Sequence, residues 1–417
     1  MSETRRAVEA VWRSESARIV GALTRYTRDF ALAEDVAQEA LAEALVSWST
    51  DGVPDKPANW LTAVGRRRAI DAFRRRAGAD ERYAAMARQL DESSSGADQL
   101  FDPDAIDDDR LALVFTACHP VLSKEARLTL TLKVVGGLTT DEIARSLLVP
   151  VATVQARITR AKKTIAAAGV PFEVPAPAER PARLGSVLNV VYLIFTEGSS
   201  ATSGSSWIRT DLAQEALRLA RVLAALAPER EVLGLLALLE LTAARFPARI
   251  DAQGRPVLLE DQDRGLWDAA AIRRGRAALA ASARADGGSR GLGAYGLQAS
   301  IAECHAMAPS VAETDWGRIV MLYGALGRLA PSPVVDLNRA AAVAMADGPA
   351  AGLALVDRLA GAPAFERSHL LPAVRAGLLS RLDRREEARE QYLRAVELCE
   401  NDAERAVLRA KADELAP

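Results

Sequence analysis

At 417 residues the chain is longer than one ordinary hydrophobic core supports, and at ~100 to 200 residues per domain it divides into about two to four. Its content, 49% hydrophobic and 26% charged, is that of a globular chain, and its longest uncharged apolar run, Ser186 to Thr196, falls short of the ~20 residues that cross a bilayer, which excludes a membrane-embedded protein. The formal net charge of −2 conceals an uneven distribution: residues 1–88 hold 15 basic against 13 acidic side chains, 89–109 none against 8, and 110–170 9 against 3.

Met1 to Arg6 holds no apolar stretch of the kind that opens a signal peptide, and Cys118, Cys304 and Cys399 lie far apart with no C-x-x-C pair. A reducing, cytoplasmic compartment is therefore expected, without a disulfide framework or structural zinc cluster. From Val8 to Trp48 apolar residues recur at three and four, predicting packed helices, and the Asp51 to Pro57 segment breaks them with two prolines and a glycine. A new helix is predicted from Asn59 or Trp60 to about Arg76. The acidic stretch Asp91 to Asp109 has little to bury and reads as a flexible linker, either a solvated tether or a competitor with nucleic acid for the basic surfaces beside it. Gly136-Gly137 ends a helix, Thr139 to Glu142 forms a capping box, and Ala152 to about Ala167 follows as the second helix of a helix-turn-helix.

Pro171 to Pro181 reads as a domain boundary. Beyond it the pattern is helical almost throughout, with room for a small hairpin only between Arg249 and Asp268. Helix pairs over 334–360 and 370–398 repeat at the ~35-residue spacing of tetratricopeptide-like units, with Ala376, Gly377, Ala388 and Ala395 as small residues that let the last pair approach. The fold class is all-α.

Gly65 to Arg76 packs six arginines and one acid into twelve residues, a density that calls for an anion. With Ile70 and Phe73 inward, Arg67, Arg68, Arg74 and Arg75 spread over exposed flanks. Arg157, Arg160, Lys162 and Lys163 lie on the helix that normally enters the major groove, giving two nucleic-acid readers on a tether. Glu34, Asp35, Gln38, Glu39 and Glu43 form an acidic amphipathic face suited to a basic protein partner. Cys118-His119 and Cys304-His305 are better read as core thiols with satisfied histidines than as metal ligands, because adjacent helical residues project ~100° apart. Glu260 to Asp263 reads as a solvent-facing or salt-bridged loop, and no P-loop, nucleophile triad or dinucleotide fingerprint suggests an enzyme.

Ala33-Glu34-Asp35-Val36-Ala37-Gln38-Glu39-Ala40-Leu41, with Trp60-Leu61 leading to Arg68 to Arg75, resembles region 2 of the extracytoplasmic-function (group 4) sigma factors of bacterial RNA polymerase, in the sigma-70 family. Leu138 to Ala144 followed by Pro150 to Lys162 resembles their region 4, with Ala152 where glycine is usual. Phe115 to Pro120, Leu259 to Arg264, Thr314-Asp315-Trp316 and Pro331 to Ala340 resemble the subgroup with a C-terminal tetratricopeptide-like extension. The implied organisation is a region 2 bundle at 1–80, an acidic linker at 81–109, a region 4 helix-turn-helix at 110–170, a Pro/Ala linker at 171–184 and a helical regulatory extension at 185–417.

The resemblance implies a transcription initiation factor, cytoplasmic and nucleoid-associated when bound to polymerase, with no cofactor and no metal. Asp35, Gln38, Glu39 and Glu43 would dock on the clamp helices of the largest core subunit, and region 4 on the flap. Asn59, Arg67, Arg68, Arg74 and Arg75 would open the −10 element; Gln155, Ala156, Thr159 and Arg160 would face the −35 element, with Arg157, Lys162 and Lys163 on phosphate. The extension is expected to regulate in cis by contacting the sigma regions, through Asp261, Asp263, Arg264, Trp267, Asp315, Trp316, Asn338 and Arg339, along with Trp207 and Arg209. Two other readings are a helix-turn-helix repressor acting on closed duplex, against which the region 2 face argues, and a peptide-binding scaffold that ignores DNA.

Overall fold

The computed structural model describes residues 3–77, 103–147, 149–176, 178–200, 208–251, 255–285 and 291–416. The chain forms two compact units, Met1–Leu193 and Ile194–Pro417. Among the described residues it is helical, with one isolated antiparallel bridge between Ile250 and Pro256.

The first unit begins with α1 (Glu3–Thr27), α2 (Phe30–Asp51) and α3 (Pro57–Ala77). Asp29 caps α2 by accepting from the Leu32 amide at 3.0 Å, and Gly52, at φ 81, ends it. Ile19, Leu23, Ala33, Ala40, Leu61 and Phe73 are buried at the three-helix seam. Gly65 allows the close approach of α3 to α1, since a Cβ there would stand 2.8 Å from Leu23 Cδ1. Trp48 meets Trp60 edge to face at 5.5 Å, closing the end that the Asp51 to Pro57 break leaves open.

Residues 81–102 of the expected acidic linker lie outside the described residues, and the remainder departs from expectation. Residues 103–109 open α4 (Pro103–Ala117), because Pro103 suits a first helical turn and the apolar run Leu111 to Phe115 gives the helix a face to bury. Asp109 is only 6% exposed, with its Oδ2 3.2 Å from Arg25 Nε. Burial pushes its carboxyl up to about 6, the opposing pull of Arg25 notwithstanding.

Next come α5 (Lys124–Val134), α6 (Thr140–Leu147) and α7 (Val151–Ala167). The capping box forms as expected: Thr139 Oγ1 accepts from the Glu142 amide at 3.2 Å, and the Thr139 amide donates to Glu142 Oε2 at 2.8 Å. Val154, Ile158, Ala161 and Ile165 turn inward along α7. Helix α8 (Arg180–Ser199) begins inside the segment read as a Pro/Ala linker. Its start is held in place: Arg183 Nη2 donates to Phe115 O at 3.1 Å, while Ser186 Oγ donates to Cys118 O at 2.7 Å and accepts from Arg127 Nη1 at 2.7 Å.

In the second unit, α9 (Thr210–Leu226), α10 (Arg230–Ala243), α11 (Ala269–Arg284), α12 (Ala294–Met307) and α13 (Trp316–Leu329) lead into α14 (Pro333–Ala346), α15 (Pro349–Asp357), α16 (Leu370–Arg381), α17 (Arg385–Leu398) and α18 (Asp402–Asp413). The pair α16–α17 turns at Asp383, which takes φ 57. Ala376 and Ala395 are buried with Tyr392 and Leu408 in one cluster, and Ala388 joins Leu337, Leu353 and Leu379 in another. Of the two glycines within these helix pairs, Gly352 and not Gly377 stands at the closer approach: a Cβ at 352 would lie 2.4 Å from the Ala344 Cβ, whereas one at 377 would meet only Tyr392 Oη at 3.7 Å. The hairpin considered between Arg249 and Asp268 shows, among the described residues, one bridge, with Val257 N donating to Arg249 O at 2.9 Å, followed by 3-10 turns at Leu259–Asp261 and Arg264–Leu266.

The three cysteines are buried, and burial raises each thiol, that of Cys118 to about 11. His119 Nδ1 accepts from the Val121 amide, as expected of a satisfied histidine; His305, edge-on against Trp316 at 5.3 Å, departs from that expectation, its Nδ1 shielded from solvent without a hydrogen-bond partner. Cys399, which belongs to neither Cys-His pair, lies with His369 and Glu404 so that their donor atoms are all within 4.8 Å of one another. Among the described residues no helix is long and apolar enough to cross a membrane.

Candidate nucleic-acid interface

The acidic face of α2 divides into three environments. Asp35 and Glu39 are exposed, Gln38 and Glu43 are half-buried, and Glu34 is 4% exposed. Glu34 therefore belongs to the interior, although helical spacing had grouped it with the outer acids. Glu43 accepts from Arg68 Nη2 at 2.7 Å and stands 3.7 Å from Arg67 Nη2, so the carboxylate expected to meet a protein partner is shared with two arginines expected to meet DNA. Its hydrogen bond, and after that its charge, holds the Arg68 guanidinium above its usual value. Arg67, Arg68, Arg74 and Arg75 are all exposed along α3, while Arg66 turns back over the Tyr26 ring at 4.5 Å. Asn59, in the first turn of α3, lines a hollow of about 430 Å³ with Ser14, Glu15, Arg18 and Lys56.

On α7, Gln155, Ala156, Thr159, Arg160 and Lys163 are exposed along one side, and Arg157 is half-buried. Lys162 departs from expectation. Its ammonium donates to Glu34 Oε2 and, at 2.8 Å, to Asp35 Oδ1, with only 14% of its side chain exposed. The helix read as the second, tethered reader thus packs within the first unit against the acidic helix of region 2, α7 against α2. Burial opposes the charge on Lys162, but Glu34 and Asp35 outweigh it and hold its pKa above the usual lysine value. Lys133 on α5, also within the field of Glu34, is driven down by its burial. Periodicity pointed Lys162 outward; a pairing partner 128 positions away left no mark on the local pattern.

In the second unit, Asp263 caps its 3-10 turn through the Gly265 amide at 2.8 Å, and Asp315 caps α13 through the Arg318 amide at 2.9 Å. Arg264, Trp267 and Trp316 come together around His305, whereas Asp261 and, on α14, Asn338 and Arg339 are exposed and stand outside that group. Arg209 is buried and ion-paired with Glu197; Trp207 lies outside the described residues. Arg245, not singled out by the sequence pattern, joins the group around Trp267, as does Gln262, which is buried although the Glu260 to Asp263 loop reads as solvent-facing or salt-bridged.

Residues 11–78 match the family model for Sigma-70 region 2, and residues 113–165 match that for Sigma-70, region 4. The chain belongs to the sigma-70 family. It is an extracytoplasmic-function-like sigma factor with a C-terminal extension, of which residues 183–283 match a family of unknown function (DUF6596). The sigma factor is 43% identical over 407 residues to an uncharacterized protein of Rhizobium meliloti (strain 1021), covering 95% of this chain and 93% of that one. No solved structure matches it. Its role is promoter recognition in transcription initiation, not catalysis, and its partners are core RNA polymerase and promoter DNA.

Proposed function

We propose that this sigma factor reads a −10 element with α3 and a −35 element with α7, and that binding of core polymerase to α2 releases α7 from region 2. The single observation that carries the second part is Lys162: its ammonium occupies Asp35, a carboxylate expected to serve the polymerase. One carboxylate does not serve both partners at full strength, so core binding and the Lys162 contact compete. Exposed Arg67, Arg68, Arg74 and Arg75 supply phosphate contacts around the melted −10 strand, and the hollow beside Asn59 offers room for an extruded base. Gln155, Ala156, Thr159 and Arg160 present to base edges, while Arg157, Lys163 and the released Lys162 meet phosphate.

The extension controls this cycle in cis. What supports the reading is that the Rhizobium meliloti relative matches over 95% of the chain, sigma regions and extension together. Residues 1–193 form a compact unit, so comparing promoter output of that fragment with the full chain gives the sign of the control. Equal output from both would remove the extension from the mechanism. For core docking, Asp35→Ala and Glu39→Ala in the full chain are expected to weaken capture by purified core polymerase, and unchanged capture would refute this use of α2.

A further inference from the structure

The second unit holds a cationic cluster that promoter recognition does not use. Arg245 precedes the 3-10 turn Phe246–Ala248 and Arg264 opens the turn Arg264–Leu266. Both guanidiniums lie over the ring of Trp267, at 5.3 and 4.5 Å from its centre. Trp267 is 7% exposed. A cation over an indole gains less than the cost of holding two neighbouring cations partly out of water.

Among the described residues, no carboxylate pairs with either guanidinium. Arg245 gives Nε and Nη2 to one neutral acceptor, Gln262 Oε1, each at 3.3 Å. Gln262 is itself buried and fixed by its Nε2, which donates to Val257 O at 3.0 Å. Arg264 Nη1 donates to the carbonyls of His305 and Ala308 at 2.7 and 2.8 Å, where the end of α12 offsets part of its charge. Three polar atoms are then left shielded from solvent with no hydrogen-bond partner: Arg264 Nη2, Trp267 Nε1 and His305 Nδ1. Two of these are obligate donors, and buried donors are rarely left unmet. Burial pushes Arg245 down to about 10, and burial with the two guanidiniums pushes His305 down to about 4, as expected where positive charge is gathered without an anion.

We propose that Arg245, Arg264 and Trp267 form a binding site for a small oxyanion, a phosphoryl or carboxylate group, presented by a ligand of the extension. A guanidinium fork matches either group, and Trp267 Nε1 supplies a further donor. Gln262 is the informative neighbour: a glutamate there would neutralise Arg245 internally, and the amide leaves that charge uncompensated. The site stands independently of the promoter reading.

The test is isothermal titration of the full chain with sodium phosphate and, separately, sodium malonate, each against sodium chloride at equal ionic strength. Saturable binding is expected, weakened at least tenfold in Gln262→Glu, whose carboxylate would take the anion's place while keeping the melting temperature equal or higher. Tighter phosphate binding assigns a phosphoryl ligand, tighter malonate binding a carboxylate one, and equal binding the oxyanion chemistry they share. Arg264→Gln should also lose the binding; because that variant removes the contacts to α12, Gln262→Glu decides if it fails to fold. If neither anion binds saturably, or if Gln262→Glu binds as tightly as the native chain, the proposal is overturned.

Discussion

The ammonium of Lys162, on the second helix of the region 4 helix-turn-helix, is bound by the carboxylate of Glu34 on region 2. Glu34 is 4% exposed and Lys162 14% along its side chain, so neither charge is well hydrated, and each depends on the other. Removing one partner of such a pair leaves an uncompensated charge. Lys162→Met is expected to lower stability by about 2 kcal/mol, below the ~3 to 5 kcal/mol of fully buried pairs because Lys133 still faces Glu34. The double variant Lys162→Met/Glu34→Leu should recover most of that loss, as read by thermal unfolding in a double-mutant cycle. Additive losses would mean that the two side chains do not depend on each other.

The same substitution frees Asp35. Measured without DNA, Lys162→Met should bind purified core polymerase about fivefold more tightly, since a larger fraction of molecules is competent to bind. Equal or weaker binding would contradict the competition between Lys162 and polymerase for α2.

Arg160 and Lys163 are both exposed on α7 but are assigned different tasks. Arg160→Ala should cost ~1 to 3 kcal/mol at one base pair of the −35 element and relax specificity there, whereas Lys163→Ala should weaken all sequences alike and reduce the salt slope by about 1. Binding to a panel of single-base promoter variants at several salt concentrations distinguishes them, and a uniform loss for both would place Arg160 on phosphate.

Asp109 gives the first unit a pH dependence with a definite sign. Its folded-state pKa, about 6, lies above the ordinary carboxylate value of 3.8, so the folded chain binds this proton more tightly than the unfolded one. Stability from this group is present below about pH 4 and is lost as pH rises through 6. Asp109→Asn should remove this component, so that the native chain loses about 1 to 2 kcal/mol relative to the variant between pH 4 and 7. Parallel stability curves for the two proteins would show that Asp109 is not buried as described.

Two helical glycines in the extension should respond in opposite directions to alanine. Gly352→Ala places a Cβ 2.4 Å from that of Ala344 and 2.8 Å from Ala340 O, and overpacking of that kind costs ~1 to 3 kcal/mol. Gly377→Ala meets only Tyr392 Oη at 3.7 Å, and inside α16 it should gain ~0.4 to 1 kcal/mol by restricting the unfolded chain. Chemical denaturation of both variants tests the pair.

Local patterns in the sequence carried a large part of this structure. The capping box at Thr139 and Glu142, the Gly52 stop and the inward row Val154, Ile158, Ala161 and Ile165 are short-range features, and each stands where periodicity and capping place it. Long-range pairings were not legible. Glu34 fits the outer acidic stripe by spacing, and only the arrival of Lys162 from α7 makes it an interior residue. The end of the acidic stretch resembles a tether in composition, yet Asp109 lies beside Gly21, whose missing Cβ admits the Asp109 carbonyl. Gln262 was legible only as part of a loop read as solvent-facing, and Arg245, a lone arginine, forms no motif; their meaning comes from the Trp267 ring that Arg245 and Arg264 share.

The most direct test of promoter recognition is run-off transcription by purified core polymerase on fragmented genomic DNA, with and without the full chain. Discrete transcripts that appear only with the protein, start downstream of a common −10/−35 pair and disappear in a variant with Arg67, Arg68 and Arg74 all changed to alanine are the expected result. Transcripts indifferent to the protein, together with no capture of core polymerase, would contradict it.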